Sequence, residues 1–280
     1  MACWARNRTG QAGPQKEAVA GWGDIPQAQV HKFIDPLFGF VTRRTEKPGK
    51  TGESRPRRDY TTRPYFFDCG TPQEKQIAIG GRQAVCKYSS DGELAVICKG
   101  RRGAGFWVCL QCGAASNEPP SNRRRERSHD TPMGAKCSQT IKGPYYLGHT
   151  FRTDVLFLSL PGAAGDESFW FSLLYAVLEG ASAALAIRRR DLDGCLHVSG
   201  SDVGLVLFDS VPGGAGHVKR IVEGDNLLQV LTKAFERVSQ CTCGPETSCQ
   251  SCLRNYENQF CHDKLKRGAV VEFLAPLVRE

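Results

Sequence analysis

The chain reads as an α+β protein, with mixed small sheets and packed helices, on three observations. Short β-like runs broken by Gly and Asp turns occupy the first half. The second half interleaves strand-like runs with stretches of helical period, an order that does not fit a clean parallel sheet. Finally, four cysteines fall within one short window, Cys241-Thr-Cys243-Gly-Pro-Glu-Thr-Ser-Cys249-Gln-Ser-Cys252. Four thiolates so close in sequence can converge on one tetrahedral ion with little loop to order, so the fold is expected to be stabilised by zinc.

Taken in order, residues 1–30 are rich in Gly, Ala and Gln without a sustained pattern and are expected to be poorly ordered. Residues 31–147 read as a small β-rich region with basic loops and a possible zinc knuckle. Within it, strands are expected at 76–79, 94–97 and 106–108, followed by a loop at 116–135 rich in Asn, Pro and Arg. Residues 148–280 are more regular. A strand is expected at 154–160, a long helix at 170–187, a strand pair at 195–198 and 203–209, and helices at about 225–239 and 266–279 on either side of the cysteine window.

The long helical stretch is close to the minimum length for a membrane span, but it carries Glu179 near its middle, with Ser172 and Ser182. Its apolar positions step at helical spacing, and Gly180, Ala183 and Ala184 permit close packing, so it reads as a buried helix with no membrane partner. Asp166-Glu167-Ser168 before it and Arg188-Arg189-Arg190 after it suit a helix dipole. No apolar signal segment follows Met1, which points to the cytoplasm and away from disulfides.

Against 29 Asp and Glu the chain sets 37 Lys and Arg, a net charge of +8, and the excess is concentrated. One run spans residues 43–63 and includes Arg55, Arg57 and Arg58; the other is Arg123-Arg124-Arg125-Glu126-Arg127. Both lack apolar periodicity and read as loops, which are either solvated connections or sites that track a phosphate backbone. Few aromatics accompany them, so base stacking is not expected there.

The cysteine window is expected to hold a metal, with a disulfide cluster and an iron–sulfur cluster as alternatives. A second site is plausible at Cys109-Leu-Gln-Cys112-Gly, with His129 and Cys137 as the nearest partners; the alternative is that Cys109 and Cys112 are simply buried small residues. Cys261-His262 lies near the first cluster, but four cysteines already fill a tetrahedron.

The segment Phe208-Asp209-Ser-Val-Pro212-Gly213-Gly214-Ala215-Gly216-His217 joins a strand to a helix through a glycine-rich turn. Such a turn either exposes amides to a phosphate or is a purely structural turn around Asp209, Pro212, Gly213, Gly214 and Gly216. Its glycine spacing is not that of a dinucleotide fingerprint. Gly49-Lys50-Thr51 resembles the end of a Walker A loop, but the first glycine position holds Arg44. His217-Val-Lys219 resembles the start of a phospholipase D-type nuclease motif, whose acid, Asp225, falls one residue late.

Together, the Asp-x-x-Pro-Gly-Gly-x-Gly turn, the cysteine window and the tail Tyr256-x-Asn258-Gln259-x-x-His262-x-x-Leu265-x-Arg267 resemble the MrfA-like zinc-binding domain. That domain lies at the C-terminus of superfamily-2 DNA helicases acting in mitomycin-type damage repair and of the helicase-like B subunit of the DISARM antiphage system. Upstream, Phe38-Gly39-Phe40-Val41-Thr42, Thr62-Arg63-Pro64-Tyr65-Phe66, Gly105-Phe106-Trp107-Val108-Cys109 and Leu147-Gly148-His149-Thr150-Phe151-Arg152-Thr153-Asp154 are similar to the region before the zinc domain in DISARM-like members. The resemblance implies zinc ligands at Cys241, Cys243, Cys249 and Cys252, and a partnership with DNA and with helicase motor domains or a helicase-like chain. A complete Walker A loop and an Asp-Glu-x-His box are both missing, so ATP-driven unwinding is not expected of these residues alone. The expected function is a zinc-binding, non-catalytic module assisting DNA engagement in repair or antiphage defence. The alternatives are a nuclease using Asp209 and His217, and a protein-interaction scaffold.

Overall fold

The computed structural model describes residues 16–20, 29–34, 60–68, 70–122, 127–199 and 202–279. In chain order the strands are β1 (Lys16–Ala20), β2 (Gln29–Ile34), β3 (Tyr60–Asp68), β4 (Gln73–Ile79), β5 (Arg82–Arg101), β6 (Phe106–Val108), β7 (Ala115–Ser116), β8 (His129–Asp130), β9 (Lys136–Cys137), β10 (Lys142–Ser159), β11 (Leu192–Ser199) and β12 (Asp202–Asp209). The helices are α1 (Glu167–Leu185), α2 (His217–Ile221), α3 (Asn226–Ser239) and α4 (Arg267–Val278), so the fold is α+β.

The chain forms two compact units. The first gathers Met1–Val19, Gln29–Tyr65 and Ala95–Thr150; the second gathers Ala20–Ala28, Phe66–Leu94 and Phe151–Glu280. In the first unit β6 pairs antiparallel with the start of β10, Tyr145 opposite Phe106, and also with β7. β2 pairs parallel with β10 at Tyr146 and Leu147. The buried apolar cluster there is small, comprising Phe106, Val108 and Leu147.

The second unit has a conventional core. β12 lies between the end of β10 and β11, with Val155 opposite Phe208 and Cys195 opposite Val206. α1 lies against this layer through β11 and against α3 and α4. Val230, Leu231, Ala234 and Val238 of α3 and Val270 and Leu274 of α4 are fully buried against Leu173, Val177 and Ala181 of α1. Those spacings of three and four place each set on one helical face.

The strands are longer than their local patterns imply. β5 is continuous over 20 residues although Ser90-Asp91-Gly92 reads as a turn; it pairs with β4 and β10, and Arg152 of β10 donates to both Asp91 carboxylate oxygens, at 3.0 and 3.2 Å. Cross-strand pairing here overrides turn propensity. Residues 1–30 were read as lacking pattern; within them Lys16–Ala20 and residues 29–30 are strand, and the remainder lies outside the described residues. Outside them too lie Arg55, Arg57 and Arg58, Arg123, Arg124 and Arg125, the segment 38–42 and the Gly49-Lys50-Thr51 decoy.

At the start of α1 the Asp166 carboxylate accepts from the Phe169 amide at 2.9 Å, as an N-cap does. At its end the expected dipole pairing is replaced by something more specific. Ala186 turns the chain into the left-handed region at φ 53°, and no basic residue lies in the last helical turn. Arg189 instead folds back to Glu179 at 3.4 Å, and Arg237 of α3 meets the same carboxylate at 3.1 Å. The Glu179 side chain is only 12% exposed, so its charge is matched by two guanidinium groups. α1 has the length and apolarity to cross a membrane, but 72% of that window is buried inside the protein.

Gly180 marks the closest approach of α1 to α3. A Cβ there would overlap the Val230 carbonyl and press on the Ala234 amide, and backbone cannot step aside as a side chain can. Gly180→Val is therefore expected to lower stability by about 1–3 kcal/mol, read as a shift of the urea midpoint at unchanged slope.

Candidate metal centres and the glycine-rich turn

α3 ends at Ser239, and the chain then turns tightly through the cysteine window before α4 begins. Local hydrogen bonds shape the window. The Cys252, Leu253 and Arg254 amides all donate to the Cys249 carbonyl at 2.9–3.2 Å, and the Cys249 amide lies 3.2 Å from the Cys252 sulfur. The sulfurs converge as a result. Cys241 Sγ lies 3.5 Å from Cys243 and 3.4 Å from Cys249, and Cys252 Sγ lies 3.8 Å from Cys243 and 3.9 Å from Cys249. With zinc–sulfur bonds of about 2.3 Å, a tetrahedron has edges of about 3.8 Å. These separations suit one ion and crowd out an iron–sulfur cluster, whose thiolates bind different irons.

The thiols are not equivalent. Hydrogen bonding with Cys241 pulls Cys249 down to about 6, whereas burial pushes Cys252 up to about 12. A divalent cation would override that difference by favouring the thiolate at every position.

A second layer locks the loop in place. Arg237 Nε donates to the Cys252 carbonyl at 2.8 Å and Arg267 Nε to the Cys243 carbonyl at 2.7 Å. The fully buried Asn258 donates to the Leu253 carbonyl at 2.8 Å and accepts from the Asn255 amide and from His262 Nε2, each at 2.8 Å. Thus Asn258 and His262 brace the loop from behind, and Cys261 is buried in the apolar core. None of the arginine roles was visible in the sequence, because a carbonyl partner leaves no pattern.

The other set lies wholly in the first unit. Cys109 and Cys112 flank a tight turn in which the Gly113 amide donates to the Cys109 carbonyl and the Cys109 amide to the Ala114 carbonyl, both at 2.8 Å. The β8–β9 hairpin brings up His129 and Cys137, which are directly paired across it. Cys112 Sγ lies 3.2 Å from His129 Nε2 and Cys109 Sγ lies 3.9 Å from Cys137 Sγ. In each of the two sets all four ligand atoms fall within 4.8 Å of one another. Burial lowers the His129 pKa, favouring the neutral imidazole.

In the glycine-rich turn the amides are occupied by the chain itself. The fully buried Asp209 carboxylate accepts from the Ala215, His217 and Val218 amides at 2.6, 3.0 and 3.0 Å. Asp154 of β10 accepts from the Gly216 amide at 2.8 Å and from the Tyr88 hydroxyl at 2.7 Å. Gly214, at φ 78°, makes this possible, since a Cβ would occupy the Asp154 carboxylate position. Of the two sequence readings, the purely structural turn matches this geometry: two internal carboxylates stand where a phosphate would sit. Pro212 and Gly213 are exposed at the turn's tip, where the Gly213 amide donates to the Arg152 carbonyl at 2.8 Å.

A helical core whose C-terminal loop presents a closed set of four thiols defines a zinc-binding domain of structural type. Residues 173–253, from within α1 to Leu253, match the model of the MrfA Zn-binding domain. Druantia protein DruE of Escherichia coli (strain UMEA 4076-1) is 28% identical over 238 residues, which are 74% of this chain and 13% of that protein. A crystal structure of the DUF1998 helicase MrfA bound to DNA aligns with a TM-score of 0.39 at 14% identity, over 94% of this chain and 30% of that one. The same helicase bound to DNA and AMPPNP gives 0.32 at 11% identity, over 93% and 27%. The chain therefore spans less than a third of the length of these relatives.

Cys249→Ser is expected to lose the C-terminal ion and, with it, the protection of α4 against hydrogen exchange; a variant that stays protected without metal would contradict a structural role. Asp209→Ala is expected to cost about 3 kcal/mol or more, because three amides lose a charged acceptor, and urea unfolding measures it.

Proposed function

We propose that this chain is the zinc-stabilised, non-catalytic portion of a helicase-like protein and helps a motor engage DNA, in repair or antiphage defence, in the cytoplasm. In this reading residues 31–147 are a β-rich region with basic loops and residues 148–280 the zinc domain, whose ligands are Cys241, Cys243, Cys249 and Cys252. The motor is supplied by helicase domains or a helicase-like partner chain.

The observation that carries the proposal is the closed thiol set inside the segment matched by the MrfA Zn-binding domain. Four protein ligands leave no open position for a water or a substrate, so the ion supports a shape and activates nothing. The net charge of +8 and its concentration near Arg55, Arg57 and Arg58 and in Arg123, Arg124 and Arg125 support a polyanionic partner. A nuclease centred on Asp209 has less support, since that carboxylate is buried and bonded to three amides.

Fluorescence anisotropy with labelled single- and double-stranded DNA tests the proposal. Affinity is expected to fall roughly 10- to 100-fold between 50 and 200 mM salt, and the salt slope to flatten when the six named arginines are neutralised. No binding at the lower salt would sink the reading. The chain alone is expected to hydrolyse no ATP in the presence of DNA.

A further inference from the structure

We propose that Cys109, Cys112, His129 and Cys137 hold a second zinc ion, which fastens the β8–β9 hairpin to the turn after β6. The site lies outside residues 173–253 and stands apart from the DNA-binding proposal.

The donor set comes first. Three thiols and one imidazole are a standard closed zinc set, and softer or harder ions are less suited to that mixture. The geometry agrees with a single ion. The Cys109 to Cys137 separation of 3.9 Å is close to the edge of about 3.8 Å expected of zinc-bound sulfurs. It is far longer than a disulfide, and a Cys109 to Cys137 bond would leave Cys112 and His129 facing each other without a shared partner.

The hairpin's own physics supplies the second argument. Its strands are two residues each, and an isolated hairpin of that size is not stable in water. Beyond the pairing of its two short strands, its internal bonds are local: the Thr131 amide donates to the Ala135 carbonyl at 2.6 Å, the Ala135 amide to the Thr131 hydroxyl at 3.0 Å, and the exposed Lys136 and Asp130 pair with each other. Among the described residues, no side chain of residues 127–141 joins a buried apolar cluster, and Met133 at the tip is 95% exposed. The side chains that carry hydrogen-bond contacts from the hairpin to the β6 turn are those of His129 and Cys137. His129 Nδ1 is buried with no hydrogen-bond partner, and its other ring nitrogen, Nε2, faces the Cys112 sulfur at 3.2 Å. Coordination by all four side chains would tie the hairpin, at His129 and Cys137, to the turn, at Cys109 and Cys112, where apolar burial does not hold it.

The test is metal content of the full chain grown with zinc, by plasma mass spectrometry. Two zinc ions per chain are expected, falling to one in Cys112→Ser/Cys137→Ser and to one in Cys249→Ser/Cys252→Ser. Proteolysis of the first double variant should open near residues 127–141. One ion in the unmodified chain, two ions retained in Cys112→Ser/Cys137→Ser, or an iron chromophore would each overturn the proposal. Should that variant fail to fold, cobalt titration of the unmodified chain decides: sulfur-to-cobalt absorbance rising through a second equivalent supports the site, and saturation at one removes it.

Discussion

Between α3 and α4, Leu253 and Leu265 are the buried aliphatic side chains among the described residues, joined by the buried Cys252 and Cys261. Hydrophobic burial of that extent does not fix the path of so long a connection, because each ordered residue costs about 1–2 kcal/mol of backbone entropy. In the proposed zinc site, sulfur coordination would replace it. Four sulfurs sharing one ion would hold the carbonyls of Cys243 and Cys252 where Arg267 and Arg237 reach them, at 2.7 and 2.8 Å. The Arg267 and Gly268 amides, otherwise orphans at the start of α4, then find the Thr247 and Pro245 carbonyls at 3.0 and 2.9 Å. Helix α4, the loop and α3 therefore share one point of origin.

The glycine-rich turn meets a related demand by opposite means. There the excess is of donors, four amides around the start of α2, and the chain answers with two carboxylates from separate strands. Neither carboxylate needs a cation, since several N–H groups directed at one acid act as a diffuse positive charge. The second unit thus has two ligand-like clusters, one that calls for a metal from outside and one whose anion is built in.

Much of this was legible in sequence wherever the cause was local. Residues 225–239 and 266–279 read as helices and are helical over Asn226–Ser239 and Arg267–Val278, because their apolar positions repeat at helical spacing. The proximity of the cysteine sulfurs followed from short spacing. The approach of His129 and Cys137 to Cys109 and Cys112 depends on a fold-back across the intervening loop that leaves no local pattern, and their positions opposite each other on a hairpin explain why it comes together. What stayed hidden was long range. Asp154 and Tyr88 are 66 residues apart, and Glu179 finds its two arginines on different elements. The length of β5 was hidden too, because Asp91-Gly92 carries a turn signal that a neighbouring strand cancels.

α1 is apolar on nearly every side, and among its packing partners are β11, α3 and α4. All three are translated after it. A growing chain therefore presents a long apolar helix to its surroundings before α3 and α4, two of its main packing partners, exist. The carboxylate of Glu179 waits through the same interval for Arg189 and then Arg237. Until they arrive it is a lone charge in the middle of that helix, which discourages both lipid insertion and sticking to other nascent chains.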